Sequence, residues 1–124
     1  MIKIKLSKNL SHTWFIDLDG TILEHNAYLF KKKDKLLKGV KLFFRKIPKK
    51  DKIIITTSRN KEYSKITIDF LKKNKINFDK IIFNLPFGER ILINDIKPKK
   101  KLRTAKSINL KRNSGLLNYS LILK

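Results

Sequence analysis

Apolar and polar positions along the chain fall into two periods. Short apolar runs rich in β-branched and aromatic residues occur at TWFID (13–17), KIIITTS (52–58), KIIFN (80–84), RILIND (90–95) and KSINL (106–110), and each predicts a strand. Between the first two, Leu36, Leu37, Val40, Phe43, Phe44 and Ile47 recur at helical spacing up to Pro48, which predicts a crossover helix. A second apolar stripe, Tyr63, Ile66, Phe70 and Leu71, predicts another helix stopping near Asn74. LPFGE (85–89) reads as a turn and IKPKKKLRTA (96–105) as a loop, while SGLLNYSLIL and Lys124 fit a closing helix or strand equally. The alternation predicts an α/β fold, a three-layer Rossmann-like parallel sheet of about five strands with helices on both faces.

The 124 residues suit one domain, 1–124, with no stretch long enough to form a cap. No run approaches the roughly 20 apolar residues that cross a bilayer. MIKIKLSKNL lacks the features of a signal peptide, and the absence of Cys fits a cytoplasmic setting. The formal charge of +21 raises the question of nucleic acid, because clustered Lys and Arg release counterions on meeting phosphates. Lys, Ile and Asn, all with AT-rich codons, supply 54 of the 124 residues, and only five of the thirty-one basic residues are Arg. Lys enrichment spread along the chain fits a skewed genome better than a dedicated phosphate surface. Nucleic acid therefore stays an open but not favoured partner.

The acids change the picture more than the bases do. In an open α/β sheet, ligands collect at the carboxyl ends of the strands. Three of the predicted strands end there in polar clusters: Asp17-Leu18-Asp19, Thr56-Thr57-Ser58-Arg59 and Asn94-Asp95. Asp17, Asp19 and Asp95 gathered at one edge repel each other unless a cation sits among them, and an all-oxygen donor set favours Mg²⁺ over zinc. Mg²⁺ with one or two carboxylates usually completes its shell with a substrate phosphate, which predicts a phosphorylated substrate. A carboxylate beside such a metal can attack phosphorus, a neighbouring acid can shuttle the proton, and the Thr57 hydroxyl with a cationic side chain can steady the transferring group. Gly20 and Thr21 predict a tight turn with exposed N–H groups.

At these residues FIDLDGTIL resembles motif I, DxDGT, of the haloacid dehalogenase-like phosphohydrolases. IIITTSR resembles the motif II strand ending in Thr, and ILINDIKP is similar to the motif IV strand ending in an acidic pair. The three occur in order and the resemblance spans about residues 13 to 98. NLPFGERILINDIKP followed by TAKSINLKRNSGL resembles small capless members associated with capsule and surface-polysaccharide synthesis.

The resemblance implies that Asp17 is the nucleophile, Asp19 the general acid/base and Thr57 the phosphoryl-binding hydroxyl. It implies Asp17, Asp95 and the main-chain carbonyl of Asp19 as Mg²⁺ ligands. Gly20, Thr21, Ser58, Arg59 and Asn94 are expected to meet the substrate, a small phosphorylated metabolite such as a sugar phosphate. Two positions depart from the pattern: Asn94 stands where many members carry an acid, and Leu85 stands before Pro86 where many carry an essential Lys. The missing cation then comes from Arg90, Lys80 or Lys97, with Arg90 preferred. Yet Arg90 opens the very strand whose far end holds Asp95, and four residues of strand span about 13 Å. A phosphatase of nucleic-acid ends, or a non-catalytic module of the same fold binding nucleic acid or a partner enzyme, is the alternative reading. His12 and His25 read as structural or exposed, with His25 near the mouth of the site, and Trp14, Phe43, Phe44 and Phe70 as core.

Overall fold

A computed structural model describes residues 1–124. In chain order the elements are β1 (Ile2–Leu6), β2 (Thr13–Asp17), α1 (Ala27–Phe30), α2 (Val40–Lys46), β3 (Lys52–Thr56), α3 (Ser64–Lys73), β4 (Lys80–Ile82), β5 (Ile96–Lys97), β6 (Leu102–Arg103) and β7 (Tyr119–Leu123). β2, β3 and β4 form a parallel sheet in that order, β1 and β7 a separate parallel pair, and β5 and β6 an antiparallel pair. The fold is thus mixed α/β, but its sheets have two or three strands rather than the expected five in one layer.

The three-stranded sheet forms where the apolar runs are densest in β-branched residues. Its register aligns Ile16 with Ile55 and Ile81 on one face, and Phe15 with Ile54 on the other. Ile16, Ile53 and Ile55 join Val40, Phe43 and Phe44 of α2 and Leu71 of α3 in one buried cluster, and Trp14 meets Phe43 edge-on at 5.8 Å. Both helices therefore serve the same face. The opposite face carries no helix, and Phe15 stands 56% exposed on it, so the expectation of helices on both faces is corrected.

α2 is shorter than its apolar stripe. Gly39, at φ 75°, sits in the left-handed region with the backbone of Leu117 pressed against it, and so the helix starts only at Val40. Leu36 and Leu37 instead run extended, Leu37 N–H donating to Ile22 O at 3.0 Å and Leu36 bridging Leu23. In α3 the buried positions are Thr67 and Leu71, whereas Ile66 is exposed. Neither 90–95 nor 106–110 is a strand. Ile91 and Ile93 of RILIND are more than four-fifths exposed, and the outer edge of β2 stays unpaired. The closing segment is a strand, and MIKIKLSKNL, for which no element is predicted above, supplies its partner with Ile2 level with Tyr119. No helix is long and apolar enough to cross a membrane.

Candidate active site

β2 delivers Asp17 at its carboxyl end, level with Thr56 of β3. Leu18 is fully buried and its N–H donates to Thr56 O at 3.0 Å, which extends the strand by one residue and turns Asp17 and Asp19 outward at the same edge. Gly20 then takes φ 87°, a conformation open to glycine at little cost, and the chain tightens into a turn. Its N–H donates to Leu23 O at 2.7 Å and that of Thr21 to Leu18 O at 3.4 Å. These N–H groups close the turn instead of pointing outward as expected. The Thr21 hydroxyl donates to Asp17 Oδ2 at 3.3 Å.

Each of the two carboxylates has its own guanidinium. Arg90 Nη1 donates to Asp17 Oδ1 at 3.0 Å, and Arg90 Nη2 reaches Ser58 Oγ at 3.4 Å. Of the three candidate cations, Arg90 is therefore the one at Asp17. Lys80 opens β4, level with Ile54 and below the carboxyl edge, and Lys97 is exposed in the β5–β6 hairpin. The pairing also explains why 90–95 is not a strand. Were Asp95 at the carboxyl edge of a strand beside β2, Arg90 would lie about 16 Å below it at about 3.3 Å per residue. One end of the segment can hold the edge, and Arg90 holds it.

Asp19 belongs to a more deeply buried network. Arg59 Nε and Nη2 donate to its Oδ1 at 3.0 and 2.8 Å, and Thr57 Oγ1 donates to its Oδ2 at 2.9 Å. The other edge of Arg59 forks onto Asp34 at 3.0 and 2.6 Å, and Nη1 also donates to Thr67 Oγ1 at 2.9 Å. Tyr28 stacks its ring 3.8 Å from the guanidinium carbon and meets Tyr63 edge-on. With both carboxylates and Thr67 satisfied, all five Arg59 N–H groups are used. Arg59 was expected to contact substrate; it is instead a buried strut of the site, with a side chain that water does not reach.

Thr57 is likewise fully buried, its hydroxyl donating to Asp19 and accepting from Arg59 N–H at 3.0 Å. The hydroxyl beside Asp17 and Arg90 is that of Ser58, half-buried and donating to Pro86 O at 3.3 Å. Asn94 and Asp95 lie in the exposed segment after Arg90, and the structure does not bring them to Asp17 and Asp19. No group of three or more His, Asp or Glu side chains converges on one point. Mg²⁺ asks for only one or two carboxylates when phosphate and water complete its shell, so Asp17 and the main-chain carbonyl of Asp19 are the groups left to hold it if it binds without Asp95.

Burial pushes the Asp17 carboxyl above the ordinary carboxylate range; the Arg90 charge pulls it down, and the neighbouring Asp19 adds to the rise. Asp34 and Tyr28 have no motif to announce them. Asp34 becomes a required partner only once the burial of Arg59 is known, and the sequence does not show that burial. Arg112 is also new to the site, its stem crossing the open side of Gly20.

No family model and no curated protein sequence matches the chain. A crystal structure of a target protein from Vibrio cholerae is similar at 19% identity and a TM-score of 0.46, over 73% of this chain and 86% of that one, a likeness too loose to bear on fold or function.

Proposed function

We propose that the chain is a phosphomonoester hydrolase of the capless haloacid dehalogenase-like type, working through an aspartyl-phosphate on a small phosphorylated metabolite such as a sugar phosphate. The single observation that supports this most is the half-exposed Asp17 carboxylate at a strand end, faced by the Arg90 guanidinium and the Ser58 hydroxyl. A nucleophile, a planar cation and a hydroxyl on one small patch suit a phosphoryl group, whose transfer depends on positioning and charge stabilisation.

In this reading Asp17 Oδ bonds to phosphorus as the bond to the leaving oxygen breaks, and that oxygen takes a proton from Asp19. A water oxygen then attacks phosphorus while giving a proton to Asp19, the bond between phosphorus and Asp17 Oδ breaks, and phosphate leaves with the Asp17 carboxylate restored. Arg90 and Ser58 hold the phosphoryl oxygens. Thr57 and Arg59 fix the orientation of the Asp19 carboxyl, with Asp34 and Thr67 in turn fixing Arg59. Mg²⁺, where bound, supplies charge neutralisation on the phosphoryl oxygens. The phosphoryl-contacting hydroxyl thereby moves from Thr57 to Ser58.

A non-catalytic module of the same fold is the second reading. It is favoured by the placement of Asn94 and Asp95 away from Asp17 and by the pairing of each site carboxylate with an Arg of the chain itself. The purified protein, assayed with an aryl phosphate and a panel of sugar phosphates with and without Mg²⁺, separates the two. Metal-dependent turnover that disappears in Asp17→Asn is the expected result. No turnover on any substrate, together with salt-sensitive nucleic-acid binding, overturns the hydrolase in favour of the module.

A further inference from the structure

The turn that carries Asp19 and Gly20 is clasped by a second segment of the chain, residues 111–116. Asn113 N–H donates to Gly20 O at 2.8 Å, and Asn113 Oδ1 accepts from His25 N–H at 2.8 Å. Asn113 makes both bonds from φ 65°, a left-handed conformation that Asn adopts more readily than most residues.

What the clasp positions is Arg112. Its Cγ lies 3.2 Å, and its Nε 4.0 Å, from where a Cβ on Gly20 would stand, with the His25 side chain beside it at 3.9 Å. The Arg112 stem therefore runs over the face that the glycine leaves bare. Its guanidinium makes no ion pair and no hydrogen bond in the molecule, although Asp19 adjoins Gly20 in sequence and Asp17 lies three residues before it. Every other Arg of the site is engaged: Arg59 internally, Arg90 on Asp17 and Ser58. Arg112 is exposed, held at its base and left with a full fork of donors.

We propose that Arg112 determines specificity by receiving a second anionic group of the substrate, a carboxylate or a second phosphate, while Arg90 and Ser58 take the reacting phosphoryl. This rests on the phosphatase reading of the same site. The planar fork matches either anion bidentately, and it stands beside the Gly20 turn without joining the Asp17, Arg90 and Ser58 contacts.

The test is equilibrium binding at low salt with Mg²⁺, using three non-hydrolysable probes: methylphosphonate, phosphonoacetate and methylenediphosphonate. Wild type is expected to bind one of the two bifunctional probes about tenfold more tightly than methylphosphonate, the worth of about 1.4 kcal/mol. The preferred probe identifies the second anion as carboxylate or phosphate. Arg112→Gln should erase that preference, Arg112→Lys should keep part of it, and Lys72→Gln, on the exposed side of α3, should leave it intact as a control for overall charge. Equal binding of the three probes, no binding of any, or an unchanged preference in Arg112→Gln overturns the proposal. An Arg112-dependent preference in a protein without turnover would overturn the hydrolase reading alone; turnover without any Arg112 effect would overturn only this inference.

Discussion

Asp17 sits in a conflict that its role requires. Burial raises its carboxyl above the ordinary range, Arg90 offsets part of that rise, and Asp19 adds to it. A carboxyl raised in the folded state contributes stability below its unfolded value and loses it as pH climbs through the folded one, so at neutral pH the ionised Asp17 is a burden on the fold. Asp17→Asn should therefore abolish turnover while melting, at pH 7, no lower than wild type; a clear drop in melting temperature would contradict this. In the metal-free protein the Asp17 carboxyl should therefore titrate above the ordinary carboxylate range, read by NMR of its side-chain carbon. Arg90→Gln removes a downward influence and should shift that titration to higher pH, besides lowering kcat. An Asp17 titration unmoved by Arg90→Gln would argue against an Arg90–Asp17 partnership.

At the scale of elements, two buried polar clusters tie the strands together, and both involve carboxylates paired with partners far away in sequence. At the amino ends of β2 and β3, Asp51 accepts from Trp14 Nε1 at 2.9 Å and from the backbone and ring of His12. Burial alone would raise Asp51, but those hydrogen bonds outweigh it and hold the carboxyl below the ordinary range. A depressed carboxyl stabilises above its unfolded value and loses that contribution as pH falls, so acid unfolding should set in less steeply for Asp51→Asn than for wild type, measured by circular dichroism against pH. At the carboxyl ends, Arg59 joins Asp19 on the β2 turn to Asp34 before α2 and Thr67 on α3. Arg59→Met should cost about 3–5 kcal/mol in urea denaturation, because it strands the buried Asp34 carboxylate and leaves Asp19 only the Thr57 hydroxyl. A loss under 1 kcal/mol would show the network to be slack. The strand runs of β2, β3 and β4 were legible because a continuous apolar stretch states burial directly. Arg59 was not, since a charged residue after a strand looks like surface until its partners are known. Ile66 and Thr67 exchanged places for the same reason: Thr67 is buried to accept from Arg59, and hydrophobicity does not record that.

For the whole molecule, the parts legible in sequence were the local ones. The DLDGT turn and its place at a strand end followed from adjacent residues, as did the existence of α3 and its stop at Asn74. The pairing of β1 with β7 joins segments more than a hundred residues apart, and nothing local announces it. RILIND shows the converse: its composition is that of a buried strand, yet its side chains are exposed and Arg90, at its start, is spent on Asp17. The site that results lies open at the end of a three-stranded sheet, with no helix over Phe15 and basic residues throughout. The account's central claim is that Asp17 becomes covalently phosphorylated. Rapid acid quench of the protein mixed with Mg²⁺ and an aryl phosphate, followed by mass spectrometry of its peptides, tests it most directly. One phosphoryl group on Asp17, absent from Asp17→Asn, is predicted; turnover with no modified Asp17 peptide, or modification at another residue, would contradict it.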